Sequence, residues 1–325
     1  MIELPDEILE KTGATAIIRS EQIQKLWSGY GEIKRYFLAG GKYPSVIVKH
    51  IQWPESIDHP KGWNTKNSHQ RKLTSYQVEK SWYVQFASQT NVQCRVPECV
   101  HSLESENQIF LIMEDLDASG YRFRANPYTV TLLQAKSALS WLAHFHAKFL
   151  GNTINELWPI GTYWHLDTRP DEFEKMQNAR LKLAAKGIDA KLNNATHQTL
   201  VHGDAKLANF CFNEMGEVAA VDFQYAGKGC GIKDVAYFIS SCFDDSDCER
   251  YEEELLNHYF KQLEQTLDEF TDIQVVIEEW RLLYKYAWAD FYRFLDGWNP
   301  GHWKMHKYSE RLTNEVLEEM SQINL

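Results

Sequence analysis

The apolar residues of this chain change their spacing at Asp117, and that change limits the folds open to it. Before Asp117 they come in short runs, rich in β-branched and aromatic residues, which glycine-containing segments separate. These runs cover residues 23–27, 33–38, 43–51 and 109–113. After Asp117 the apolar residues recur every three or four positions, in 132–149 and again in 251–270, which is helical spacing. The pattern predicts an α+β fold with a strand-rich amino-terminal lobe, residues 1–117, and a helical carboxyl-terminal lobe, residues 118–325.

Composition and charge exclude several classes of protein. With 325 residues, of which 44% are hydrophobic, the chain can bury a core of its own. Its 34 lysines and arginines stand against 45 aspartates and glutamates, a net charge of −11, so we expect no general nucleic-acid binding. Because the sequence has no run of 18 apolar residues, we also expect no membrane span.

The compartment is predicted from the amino terminus and the cysteines. Residues 1–7 lack the basic start and the apolar stretch of a signal peptide. The six cysteines show neither a C-x-x-C pair nor the spacing of zinc ligands, and a chain of this length does not need disulfides to fold. We therefore expect a reduced, cytoplasmic protein, and the sequence leaves its oligomeric state open.

The residues that carry chemistry lie on both sides of a short apolar hairpin. Asp204 and Asn209 precede the hairpin and Asp222 follows it. If residues 213–216 form a four-residue turn, Asn209 faces Ala220 and is a diagonal neighbour of Asp222, so both side chains can converge on one ion. Oxygen ligands of this kind suit Mg²⁺, which takes substrate phosphates as further ligands. Either aspartate alone would more often cap a helix or end a turn, but the two segments together predict phosphoryl transfer, with Asp204 orienting a substrate hydroxyl.

These segments resemble the motifs of a known family. His202-Gly203-Asp204-Ala205-Lys206-Leu207-Ala208-Asn209 and Val221-Asp222-Phe223 are similar to motifs of the aminoglycoside phosphotransferase and choline kinase group. The likeness is greatest to its ecdysteroid-kinase-like branch, through Met113-Glu114-Asp115-Leu116, Ala143-His144-Phe145-His146-Ala147 and Asp222-Phe223-Gln224. It extends over residues 20–305. The resemblance implies the bilobal protein-kinase-like fold with a small antiparallel sheet in its amino-terminal lobe, and it implies ATP and Mg²⁺ as cofactors.

The resemblance also implies a role for each matching residue. Asp204 would be the catalytic base, and Asn209 and Asp222 would be the Mg²⁺ ligands. Asp234 would brace the loop that carries Asp204. The family commonly has an acid two residues after the second metal ligand, and here that position is Gln224, which leaves the binding of a second metal open.

An ATP site also needs a cation at the phosphates, and Lys49 is the candidate. It lies in the apolar run 46–51, where an ammonium group is costly unless it finds a partner. Glu79, in a helix predicted over 74–87, is the expected partner, and the family pairs a strand lysine with a helix glutamate. The alternatives are an edge-strand lysine that reaches water and an exposed helix glutamate.

Three further segments are predicted to contribute to nucleotide binding or to cover it. Gly29 and Gly31 could fold over the phosphates, although two glycines between strands more often form a hairpin turn. Glu114 and Leu116 end a buried strand where backbone groups would bind adenine; without the family this is only a strand end. The polar segment 52–70 is too long for an ordinary connection and is either disordered or a mobile flap.

The acceptor site is predicted near the carboxyl end. Trp280, Tyr284, Trp288 and Phe291 recur at helical spacing and are interpreted as core. Residues 297–302 form a breaker-rich segment where packing explains less. We predict that Trp298, with Asp290 nearby, forms part of the acceptor wall, and an aromatic face beside an acid would suit a cationic or amphipathic acceptor.

The sequence thus predicts an ATP- and Mg²⁺-dependent small-molecule kinase whose partner is a small hydroxyl acceptor. One alternative is a protein kinase, but the loop reads His-Gly-Asp where protein kinases have His-Arg-Asp, and there is no Ala-Pro-Glu motif. The other alternative is a nucleotide-binding scaffold without turnover. Which hydroxyl compound is the acceptor does not follow from the fold.

Overall fold

The computed structural model describes residues 4–26, 29–53, 65–152, 155–267 and 272–323. Several sequence predictions fall partly outside these described residues: they concern Trp27, Ser28, residues 54–64 and Phe270.

The amino-terminal part is built on a five-stranded sheet whose neighbouring strands are all antiparallel, in the order β1-β2-β3-β5-β4. The strands are β1 Ala16–Lys25, β2 Gly31–Ala39, β3 Ser45–Gln52, β4 Cys99–Ser105 and β5 Gln108–Glu114. The two strands with the longest apolar runs, β3 and β5, are central and pair with each other. β4 and a short helix, α1 (Leu4–Thr12), were not predicted, since neither contains a long apolar run.

Helix α2 (Lys66–Ser81) follows β3 and begins eight residues before the predicted start at Thr74. Thr65 caps it, accepting a hydrogen bond from the Ser68 amide at 3.1 Å. Its first two turns are polar, so hydrophobic periodicity could not find them. After Ser81 the chain continues as a wider helical turn, Trp82–Phe86.

The rest of the chain is mostly helical. The helices are α3 Leu132–Lys148, α4 Pro170–Glu174, α5 Ala179–Asn193, α6 Ile232–Cys242, α7 Asp245–Thr266, α8 Ile273–Trp298 and α9 Lys307–Ile323. Helix α6 is buried along its whole length. On α8 the predicted core face, Trp280, Tyr284, Trp288 and Phe291, is buried, as expected. No described helix is both long and apolar enough to cross a membrane.

Helix α8 continues two residues into the segment that was predicted to be a loop. Gly297 and Trp298 form its last turn, and only residues beyond Trp298 leave the helix. A Cβ at Gly297 would lie 1.9 Å from the Glu172 carbonyl oxygen, so this glycine permits close packing of α8 on α4 rather than ending the helix.

Two small antiparallel pairs carry the predicted motifs. They are formed by β6 (Thr199–Val201) with β9 (Gly227–Gly229), and by β7 (Phe210–Phe212) with β8 (Val218–Ala220). In the second pair Phe210 faces Ala220, so the predicted register, with Asn209 opposite Ala220, is wrong by one residue. The cause is the turn: Asn213 pairs with Glu217, to whose carbonyl oxygen its amide donates at 3.0 Å, so the turn is residues 214–216 and one residue shorter than predicted.

The α+β prediction is therefore confirmed, with an antiparallel sheet before a larger helical part. The sheet ends at Glu114 and the next helix begins at Leu132. The predicted division at Asp117 falls in this connection, and its role as a lobe boundary remains a prediction. All six cysteines are free thiols.

Candidate active site

The loop that carries Asp204 runs from β6 to β7, and α6 holds it in place through hydrogen bonds. Asp234, in the first turn of α6, accepts hydrogen bonds from the amides of His202, at 2.6 Å, and Gly203, at 3.0 Å. His146 donates to the same carboxylate at 3.1 Å, and its other ring nitrogen accepts from the Tyr259 hydroxyl at 2.8 Å. Because all these groups are buried, the loop has one well-defined position.

Gly203 gives a physical reason for the His-Gly-Asp sequence. It has a positive φ of 78°, and a Cβ at this position would lie 2.0 Å from the Tyr225 carbonyl oxygen. An arginine cannot replace it without moving that backbone. The loop in its present conformation therefore requires glycine at this position.

Asp204 is held on both carboxylate oxygens. Lys206 donates to Oδ2 at 2.7 Å and Asn209 donates to it at 3.2 Å, while the Tyr237 hydroxyl donates to Oδ1 at 3.2 Å. Burial opposes the charge of Lys206, but the carboxylates of Asp204 and Asp222 outweigh it and raise the pKa of this lysine. Sequence analysis missed Lys206 and Tyr237; a lone charge among small and apolar loop residues was the available signal for Lys206.

Lys49 and Glu79 form the buried ion pair that the sequence predicted. The Lys49 Nζ lies 2.7 and 2.6 Å from the two carboxylate oxygens of Glu79, and the residues are only 4% and 2% exposed. The same Nζ is 3.8 Å from Asp222 Oδ1. Burial opposes its charge, but these two acids raise the pKa of Lys49. The alternatives of an edge-strand lysine and an exposed glutamate do not hold.

Asp222 reaches the site through its backbone conformation. In the observed register Val221 pairs with Asn209, and a continued strand would turn Asp222 to the opposite face. Its φ of 71° ends the strand instead. Although burial opposes ionisation, Lys49, Lys206 and Lys72 lower the pKa of Asp222 to about 2, so it carries a charge at neutral pH.

Gln224 connects Asp222 to a second lysine that the sequence analysis missed. The Gln224 amide donates to Asp222 Oδ1 at 2.6 Å, and its oxygen accepts from Lys72 at 3.3 Å and from Ser75 at 3.3 Å. A lysine thus lies against the position where the resemblance implies an acid. The group at this place is an amino group, whose pKa burial lowers, rather than a carboxylate.

The predicted metal ligands fit a hard cation by the chemistry of their donors. Asn209 turns its amide nitrogen to the Asp204 carbonyl oxygen, at 2.8 Å, which directs its own oxygen away from that loop. Asp222 supplies an ionised carboxylate, and its side chain is 32% exposed. One amide oxygen and one carboxylate leave the remaining octahedral positions of Mg²⁺ to phosphate and water.

The residues predicted for adenine binding have structural partners. The Glu114 carboxylate accepts from Arg95, Ser119 and the Glu98 amide, and despite burial Arg95 and Ser119 lower its pKa. Leu116 is buried, and its carbonyl oxygen accepts from the Tyr121 amide at 2.8 Å. Contact of this strand end with adenine stays a prediction.

The Gly29 and Gly31 segment connects two antiparallel strands, as the hairpin alternative expected. At Gly31 a Cβ would lie 2.0 Å from the His50 carbonyl oxygen, so the close approach to β3 requires glycine. Tyr30 between them is buried, and its hydroxyl lies 2.5 Å from His69 Nδ1. A phosphate contact of this segment also stays a prediction.

The two predicted acceptor residues differ in their surroundings. Asp290 has no exposed surface: Trp164 donates to one oxygen at 2.9 Å and Arg293 to the other at 2.7 Å. Its prediction as a wall residue is corrected, because it lies behind the surface and pairs within the core. Trp298 is half-buried, stacks on Phe294 with ring centres 5.6 Å apart, and lines a cleft. Its contact with an acceptor stays a prediction.

Comparison with solved structures identifies the fold. An amicoumacin kinase in complex with AMP-PNP, Ca²⁺ and Ami is 13% identical, with a TM-score of 0.55 over 98% of this chain and 93% of that one. An aminoglycoside phosphotransferase with ADP and hygromycin B is 10% identical, with a TM-score of 0.51 over 98% of each chain. A microcompartment-associated aminopropanol kinase is 13% identical, with a TM-score of 0.50 over 97% of this chain and 93% of that one.

These likenesses confirm the predicted protein-kinase-like fold. No curated protein matches the sequence. The ecdysteroid kinase-like family matches residues 63–156 and 160–271, which is more than half of the chain and includes the whole segment from β6 to α6. The resemblance seen in the motifs is thereby confirmed, and the chain belongs to the ecdysteroid kinase-like family.

Proposed function

We propose that this protein is an ATP- and Mg²⁺-dependent phosphotransferase that moves the γ-phosphoryl group of ATP to a hydroxyl group of a small molecule. The observation that carries the proposal is one cluster in which Lys206 bonds to Asp204 while Lys49 joins Glu79 to Asp222. This brings a candidate base, a candidate metal ligand and two cations together. Two of the structural neighbours were solved with AMP-PNP and Ca²⁺ or with ADP, which supports a nucleotide and a divalent ion.

In this proposal Asp204 acts on the acceptor. Its carboxylate accepts a hydrogen bond and then the proton of the acceptor hydroxyl, whose oxygen forms the new bond to the γ-phosphorus. The bond from that phosphorus to the bridging oxygen breaks and ADP leaves. Tyr237 and Lys206 fix the carboxylate in position, so little reorganisation is required during transfer.

The phosphates would lie between the lysines. Lys49, Lys72 and Lys206 all lie close enough to Asp222 to lower its pKa, which places three cations around one carboxylate in a chain of net charge −11. Asn209 and Asp222 would hold the Mg²⁺, which when bound neutralises phosphate charge. Lys72, which bonds to Gln224, would add positive charge at the place where a second metal would need an acid.

The nucleotide would enter between the sheet and the helical part. We assign Gly29 and Gly31 to the phosphate side, and the backbone of Glu114 and Leu116 to adenine, on the resemblance alone. A reduced, cytoplasmic setting agrees with six free thiols. A protein kinase is disfavoured because Gly203 excludes the His-Arg-Asp loop by its contact with Tyr225.

The test is a screen of hydroxyl metabolites with MgATP, in which transfer is read as a mass increase of the acceptor. In Asp204→Asn we expect transfer to fall by about 10²–10⁴, the usual contribution of a general base. MgATP affinity, measured by calorimetry, should stay within a few-fold. Asp6→Asn, which changes an exposed aspartate of α1, is the matched control and should behave as the wild type.

A second variant separates the enzyme from the scaffold alternative. Asp222→Ala should weaken MgATP binding, since the nucleotide would lose a metal ligand and face a net acidic chain. Unchanged MgATP affinity in this variant would remove Asp222 from metal binding. Tight MgATP binding with no transfer to any acceptor in the wild type would support the scaffold instead.

A further inference from the structure

Lys304 is a buried lysine surrounded by aromatic rings. It lies between α8 and α9 and is 8% exposed. Its ammonium group is 4.5 Å from the ring centre of Tyr237, 5.3 Å from that of Phe291 and 5.7 Å from that of Trp303. Within the part of the chain that the structure describes, no carboxylate forms an ion pair with it. The three rings form an aromatic cage, the arrangement by which proteins bind ammonium groups.

The position of Lys304 is fixed by its backbone. Its amide donates to His302 Nδ1 at 3.3 Å, and its carbonyl oxygen accepts from the Ser309 hydroxyl at 3.0 Å. Burial lowers the pKa of Lys304 to about 7, although Asp204 acts to raise it. A surface lysine would extend its ammonium group into water and so avoid the free-energy cost of burying it. The cage and its cation are therefore part of the fold.

The cage adjoins the proposed catalytic carboxylate. Tyr237 forms one wall of the cage, and its hydroxyl donates to Asp204 Oδ1 at 3.2 Å. Lys206 bonds to the other oxygen of Asp204 at 2.7 Å. An acceptor hydroxyl bound to Asp204 would thus lie close to Lys206, and Tyr237 connects Asp204 to the cage that holds Lys304.

We propose that Lys304 selects acceptors by charge: the protein phosphorylates hydroxyl compounds that have no positive charge near the reacting hydroxyl, and it rejects amino alcohols. This inference rests on the proposed function. An empty aromatic cage beside Asp204 would attract an ammonium group, but here the chain's own ammonium fills the cage and repels a second one. The proposal departs from the sequence-based expectation of a cationic acceptor at Trp298, because the neighbouring acid of that expectation, Asp290, is buried and paired with Arg293.

The test compares two alcohols of equal shape, choline and its neutral isostere 3,3-dimethylbutan-1-ol, as acceptors from MgATP at about pH 6, where Lys304, with its pKa of about 7, is protonated. The wild type should favour the neutral alcohol in kcat/KM. Lys304→Met removes the charge and keeps the apolar stem, so the ratio should move by about tenfold or more toward choline, which corresponds to about 1.4 kcal/mol. Lys304→Arg keeps a cation and should retain the preference. Lys307→Met, which changes an exposed lysine three residues away, is the matched control.

A wild type that prefers choline, or a ratio unchanged in Lys304→Met, would overturn the inference while leaving the phosphotransferase in place. A binding experiment covers the case in which neither alcohol is phosphorylated. Tetramethylammonium chloride should raise the Tm of Lys304→Ala, whose cage lacks its cation, and should leave that of the wild type at its value in NaCl. Equal Tm values for Lys304→Ala in the two salts would equally refute the role of the cage. Failure of the proposed function is seen separately, as MgATP turnover that does not depend on Asp204.

Discussion

Single residues in this site carry charges that burial alone would suppress. Lys49 keeps its charge because the carboxylates of Glu79 and Asp222 stabilise its ammonium group. Lys206 keeps its charge because the carboxylate of Asp204 does the same. Lys304 has aromatic rings in place of a carboxylate partner, and its pKa falls to about 7. Lys49 and Lys304 are 4% and 8% exposed, so the partner, and not the depth of burial, distinguishes these two lysines.

The lowered pKa of Lys304 predicts how stability depends on pH. Between about pH 7 and its ordinary value of 10.5 the unfolded chain binds more protons at this lysine than the folded chain does, so the free energy of unfolding rises with pH. The free energy of unfolding of the wild type, minus that of Lys304→Met, should therefore rise by up to about 1.4 kcal/mol per pH unit from pH 7.5 to 9.5. Urea denaturation at several pH values measures it.

The groups around Lys304 do not disturb the pH dependence of this difference in the free energy of unfolding. They are Asp204, Lys206, Cys242 and Cys248. Burial raises the pKa of both thiols, so neither becomes charged in the window. A difference that stays constant from pH 7.5 to 9.5 would mean that Lys304 has an ordinary pKa. Below pH 7 the difference should be flat, since both states are protonated there.

Sequence reasoning found the site residues that lie within a motif. It missed the residues that reach the site from distant parts of the chain. Asp204, Asn209 and Asp222 lie in one segment of 19 residues, so their spacing could be read directly. Lys72 on α2, Tyr237 on α6 and Lys304 beyond α8 reach the same site from three different elements. No spacing along the chain encodes such a meeting, because tertiary packing alone produces it.

At the scale of elements, strongly periodic or apolar segments were predicted and polar ones were not. β3 and β5 were found from their apolar runs, whereas the polar start of α2 and the edge strand β4 were missed. The β7–β8 register failed by one residue, because a three-residue and a four-residue turn place the same pattern in different pairs. The conformation of Asp222, at φ 71°, then corrects the direction that the register would give its side chain.

The carboxyl end of α8 carries the prediction for the acceptor wall. Trp298 extends the helix beside Phe294 and borders a cleft that also includes Arg71 and Tyr163. Trp298→Ala should raise the acceptor KM several-fold and leave MgATP affinity unchanged, since the residue lies on the helical side of the site. Initial rates at varied acceptor concentration, with calorimetry for MgATP, measure the two effects.

The thermal transition of the same variant decides between wall and core. Trp298→Ala should still unfold in one cooperative transition, because this side chain is only half-buried. Tyr128→Ala removes an aromatic side chain that is 97% exposed and serves as control. Loss of the cooperative transition in Trp298→Ala would assign Trp298 to the core.

At the scale of the whole molecule, α2 links the sheet to the helical part. Glu79 near its end holds Lys49 of β3. At its start the Thr65 hydroxyl donates to Asp171 at 2.6 Å, and Arg71 donates to the Thr168 carbonyl oxygen at 2.8 Å. The position of α2 therefore couples Lys49 to the part of the chain that carries Asp222.

This coupling predicts the effect of Arg71→Met. The variant loses the hydrogen bond to Thr168, which should cost about 1–3 kcal/mol of stability and lower the Tm by several degrees. If α2 sets the distance between Lys49 and Asp222, MgATP affinity should also fall several-fold, although Arg71 need not touch the nucleotide. Lys66→Met, which changes an exposed lysine in the first turn of the same helix, should alter neither quantity. Calorimetric titration with MgATP and thermal unfolding of both variants provide the comparison. A lower Tm with unchanged MgATP affinity would show that the contact stabilises α2 without positioning Lys49, and the nucleotide site would then be assembled by the sheet and the Asp204 loop alone.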